Sequence, residues 1–75
     1  MAKKIISDLT AEEAIAELKA TNVASGYTRQ GLITRLAVIG KLKRRDDWEI
    51  ALGFLEDLAE NGSEKDKVEI KIYFS

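Results

Sequence analysis

Apolar side chains recur along this chain at helical spacing through its middle and at a spacing of two at its end. Near the start, Lys4-Ile5-Ile6 is a short apolar run that predicts a brief strand. Ala11, Ala14, Ile15 and Leu18 then fall on one helical face, with Glu12, Glu13, Glu17 and Lys19 turned away from it, which predicts a helix over 11–20. Its start is well marked. Thr10 can accept from the Glu13 amide while Glu13 reaches back to the Thr10 amide, and Leu9 with Ala14 can form the hydrophobic staple. Thr21 to Tyr27 carries the turn residues Asn22, Ser25 and Gly26 and reads as a loop.

A second helix is predicted over 28–43, with Leu32, Ile33, Leu36 and Ile39 on its inner face. Gln30, Thr34, Val38, Lys41 and Arg45 lie opposite, and Arg35 stands at the flank. Gly31 and Gly40 each cost about 1 kcal/mol relative to alanine in a helix, unless close packing requires them. A third helix is predicted from Asp46, where Asp46 and Glu49 have capping-box spacing. Trp48, Ala51, Leu52, Leu55, Leu58 and Ala59 give it a broad apolar face that Ile50 and Phe54 widen, so it should be central to the core, with Trp48, Leu52 and Leu55 buried beside Leu36 and Ile39. Asn61-Gly62 should end it, with glycine free to take the left-handed conformation.

The final segment changes period. Val68, Ile70, Ile72 and Phe74 alternate with Glu69, Lys71 and Tyr73, which predicts a strand whose partner is the N-terminal strand or a second subunit. The fold class expected is α+β: one small domain over 1–75, with a three-helix core, a C-terminal strand and a short N-terminal one.

Length sharpens this expectation. A 75-residue chain forms one domain. Chains this short bury only about 60% of their unfolded surface and often rely on disulfides, metals or oligomerisation. There is no cysteine and no histidine, so no disulfide, thiolate or imidazole ligand is available. A homodimer is the remaining expectation. The same two absences remove the commonest general base and the strongest nucleophile, and the glycines follow no nucleotide-binding spacing. Asp57–Val68 fails as a calcium loop because Ala59 and Val68 occupy liganding positions. No enzyme, no cofactor and no metal are therefore expected. The N-terminus lacks a signal-peptide apolar run, and Leu32–Gly40 is too short to span a membrane, so a cytoplasmic protein is expected.

Charge adds the one functional pointer. Residues 28–45 carry six bases and no acid, and residues 46–60 carry six acids and no base, within a net charge of −1. The second helix, following a capped helix and a loop, has the order of a helix-turn-helix motif, whose second helix enters the major groove. In that reading Gln30, Thr34 and Arg35 face bases and Arg29 opens the helix, while Lys41, Lys43, Arg44 and Arg45 hold phosphates. The layout resembles small phage repressors in arrangement alone, and the reading is of a small DNA-binding regulator of phage or mobile-element type, its partner double-stranded DNA. Against it stand the long loop and the slightly acidic balance. Two alternatives remain open. The basic helix could simply lie against the acidic one in solvated ion pairs. The chain could instead be an inhibitor or adaptor that binds an acidic protein partner through its charged helix faces, or docks by its C-terminal strand edge.

Overall fold

The computed structural model describes residues 4–20 and 26–74, which form four α-helices preceded by one 3₁₀ turn. The helices are α1 (Ala11–Ala20), α2 (Arg29–Leu42), α3 (Trp48–Asn61) and α4 (Glu64–Phe74); the 3₁₀ turn is Ile6–Asp8. The described residues include no strand. They form an all-helical fold, and the α+β expectation is overturned at both ends.

At the C-terminus the predicted strand Val68–Phe74 is the body of α4. Its helical start signal outweighs the alternation. Ser63 Oγ accepts from the Asp66 amide at 3.3 Å, and the Ser63 carbonyl accepts from the Lys67 amide at 3.0 Å. Glu64 and Asp66 occupy the first turn and Lys71 the last, as the helix dipole favours. A strand here would leave its amides unpaired, whereas a helix pairs them internally. The alternation survives as a split: Ile70 is buried, while Val68 and Ile72 face outward. At the N-terminus Ile5 is extended but pairs with nothing as a strand, and Ile6–Asp8 turns instead, with the Asp8 amide bonding the Ile5 carbonyl.

Helix α1 begins as its sequence predicts. The Thr10 amide donates to Glu13 Oε1 at 3.0 Å and the Glu13 amide to Thr10 Oγ1 at 3.1 Å. Leu9, Ala11, Ala14 and Leu18 are buried. Residues 21–25 of the expected loop, Asn22 and Ser25 among them, lie outside the described residues; Gly26 has a φ of 81°, a conformation that favours glycine.

Helix α2 packs against the 3₁₀ turn and all three other helices. Leu32, Ile33, Leu36 and Ile39 are buried, as the wheel requires, together with Ala37 and Gly40. Gly40 is needed for contact with α3, since a Cβ there would lie 2.7 Å from Leu52 Cδ2. The helix ends at Lys43, which takes the left-handed conformation at φ 54° without being glycine.

Helix α3 starts one residue later than its acidic pair suggests. Asp47, not Asp46, is the N-cap, and its side chain makes no cap bond to its own helix. Ala51 and Leu55 are buried, but Trp48, Leu52, Phe54 and Leu58 are only partly so and Ile50 is exposed. The core therefore centres on α2, with α3 laid against it. Gly62 caps α3 through its amide to the Leu58 carbonyl, yet its φ of −82° is not left-handed. Glycine serves there because a Cβ would meet that carbonyl at 2.5 Å.

Candidate nucleic-acid interface

Arg29, Gln30, Thr34, Arg35, Lys41, Lys43, Arg44 and Arg45 all lie on α2 or the connection that follows it, and the structure divides them into two groups. The first group is turned to the protein's own use. Arg29 forms a two-pronged ion pair with Asp66 on α4, Nε to Oδ1 at 2.8 Å and Nη2 to Oδ2 at 2.7 Å. Asp66 is a buried acid, its side chain only 5% exposed, while Arg29 remains about half exposed at 49%. The guanidinium holds the Asp66 carboxyl below its ordinary range against the opposing effect of burial, and the Ser63 contacts add to this. Thr34 Oγ1 donates to the Gln30 carbonyl at 2.9 Å and shares a hydroxyl–hydroxyl bond with Tyr73 of α4. Arg35 Nε donates to the Leu9 carbonyl at 2.8 Å and so ties α2 to the segment entering α1.

The second group faces solvent. Gln30 is exposed near the start of α2, and Lys41, Lys43, Arg44 and Arg45 are exposed at its end. Arg45 Nε bonds Asp47 Oδ1 at 2.9 Å, and Lys43 Nζ lies 4.9 Å from the centre of the Trp48 ring. Lys41 and Arg44 make no ion pair with any described residue. Lys41 stands in the last turn of α2, and the left-handed turn at Lys43 carries Arg44 and Arg45 off the helix axis into the connection to α3.

The acids of residues 46–60 neutralise this corner only in part: Asp47 pairs with Arg45, and exposed Asp46 lies between them in the chain. Apart from Arg45–Asp47 within the connection, no described ion pair joins the basic and acidic blocks. Glu49, Glu56 and Glu60 line the outer face of α3, exposed around the open position of Gly53. Of the solvated pairing between the two blocks that the sequence leaves open, the described residues therefore show one pair, Arg45–Asp47, and none that joins α2 directly to α3. The interface between these helices is apolar.

Sequence reasoning does not anticipate the partners on α4, Asp66 and Tyr73. The Ser63-Glu64-Lys65-Asp66 start signal could have placed α4 as a helix, and with it Asp66 in the first turn. It also misses the role of Asp47, whose Oδ2 accepts from the Ala11 amide at 2.7 Å and so caps α1 from outside. Burial pushes the Asp47 carboxyl up, and the Ala11 amide with the Arg45 guanidinium bring it below its ordinary range.

Among the described residues no group of three acids could hold a metal ion, and no helix is long and apolar enough to cross a membrane. Compared with known proteins, the chain matches no family model, no curated protein and no solved structure. The fold and site define a four-helix protein with a cationic corner and an acidic helix face, and the functional reading rests on that geometry.

Proposed function

We propose that this chain is a small regulator that binds duplex DNA, with Lys41, Lys43, Arg44 and Arg45 holding phosphates at the α2–α3 corner and Gln30 presented further along α2. The observation that carries this reading is the cationic corner: four exposed cations, of which Arg45 alone has a described ion pair, to Asp47, while Glu49, Glu56 and Glu60 face outward on α3. Cations gathered on one surface element form an electrostatic footprint for a polyanion. The structure supports phosphate contact more strongly than base reading, because Thr34 and Arg35 are already engaged within the protein.

Fluorescence anisotropy with a labelled random-sequence duplex tests it. Binding should reach micromolar affinity at low salt and weaken as salt rises, with a log–log slope of about −0.9 per neutralised phosphate. No binding at micromolar protein in low salt would overturn the proposal.

A second reading, an acidic protein partner, is favoured by one specific feature. Val38 and Leu42 are exposed next to Lys41, Leu42 by 55%. Apolar side chains gain nothing against phosphates but are buried well in a protein interface. Leu42→Ser should leave duplex binding unchanged under the first reading and abolish partner binding under the second.

A further inference from the structure

Helix α4 packs against α3, where Ile70 and Phe74 share a cleft with Leu52 and Leu55, and it is tied to the N-terminal half of α2 by polar contacts. Of its residues only Asp66 and Ile70 are buried, with Tyr73 packed part-way against the core. Val68, Ile72 and Phe74 are 57%, 64% and 41% exposed, so a good part of its apolar surface is left uncovered. What fastens it to α2 is the Arg29–Asp66 pair and the Thr34–Tyr73 hydroxyl bond. Those contacts engage Arg29 and Thr34, which stand beside Gln30 and one turn beyond it in α2. An element with few buried apolar groups opens at lower free energy than the core around it.

We infer that α4 is an autoinhibitory cover on α2: docked, it withholds Arg29 and Thr34 from the anion-binding surface, and undocked it returns them to it. The inference rests on the DNA-binding reading and extends it to regulation. With α4 released, α2 presents a free cation at its N-terminal end in addition to those at its C-terminal corner. Any event that weakens the Asp66 contact therefore strengthens binding.

Three full-length variants test this by anisotropy with the random duplex. Asp66→Ala frees Arg29, and Tyr73→Phe removes the hydroxyl bond that helps to hold α4 against Thr34. Both should bind several-fold more tightly than wild type, and Asp66→Ala should steepen the salt slope by about one phosphate. Arg29→Ala combined with Asp66→Ala should lose that gain, because the freed cation is gone. Amide exchange read on the same samples should show residues 67–74 exchanging faster in Asp66→Ala while Leu36 and Leu55 stay protected. Wild-type binding with no gain in Asp66→Ala, or a gain that survives in the double variant, overturns the cover and leaves the DNA reading standing. Absence of duplex binding by wild type and every variant overturns both.

Discussion

Asp46 and Asp47 are adjacent and chemically alike, yet only Asp47 matters to the fold, because its carboxylate meets the first amide of α1. That contact satisfies a donor left open at a helix start and places negative charge at its positive end. Asp47→Ala should therefore destabilise the protein by about 1–2 kcal/mol, the range for losing a helix cap, whereas Asp46→Ala should stay within about 0.5 kcal/mol. Urea unfolding of the pair distinguishes them. Leu55 lies at 2% exposure beside α2, and Leu55→Ala should cost about 2–5 kcal/mol by the same measurement. Residue-level expectations hold where periodicity alone decides, as at Leu32, Ile33, Leu36 and Ile39. They fail for Ile50 and in part for Trp48, because α3 is apolar around more of its circumference than α2 can cover. The cap from Asp47 to Ala11 is not legible, since it joins residues far apart in the chain.

At the level of elements, α1 to α3 are legible because each shows helical spacing bounded by its own start or stop residues. Helix α4 is misread because its alternation outweighs, on paper, Ser63-Glu64-Lys65-Asp66, a short start motif. Period two shows a strand only if some neighbour offers a pairing edge, and the turn at Ile6–Asp8 removes the nearest one. The docking of α4 should then depend on pH through Asp66. Its folded carboxyl lies below the unfolded value of about 3.9, so the contribution is complete above that value. It is lost as pH falls through the unfolded and then the folded value. Arg29 stays charged throughout, and Ser63 does not titrate. Amide exchange of residues 67–74, followed from about pH 6 to about pH 3 and corrected for intrinsic rates, should show loss of protection at the acid end, earlier than for Leu36. In Asp66→Asn this acid-dependent loss should be much smaller. Equal acid sensitivity in wild type and variant would show that other carboxyls hold α4.

At the scale of the molecule, the cations of the α2–α3 corner and the acids on the outer face of α3 are separate, and this separation allows function and stability to be altered independently. The cations at the α2–α3 corner are exposed and largely unsupported by acids, so changing one should disturb folding little. Arg44→Glu should leave unfolding free energy within about 0.5 kcal/mol of wild type. It should still weaken duplex binding for every sequence alike and reduce the salt slope by about one contact. The acids on α3 are in the opposite position. No base lies on that helix, and Glu60 sits in the last turn, where the dipole disfavours an anion and where Glu56 repels it across one turn. Glu60→Lys reverses both effects, because it gives Glu56 an opposite charge one turn on, in the favourable order. It should stabilise the fold by about 0.3–1 kcal/mol, seen as a rise of a few degrees in the thermal midpoint. Because Glu60 lies outside the cationic corner, the same change should at most strengthen duplex binding, by lowering the repulsion of a polyanion at low salt. Arg44→Glu lowering stability as much as binding would mean that the corner is structural. Glu60→Lys weakening duplex binding would mean that the acidic face, not the cationic one, meets the partner.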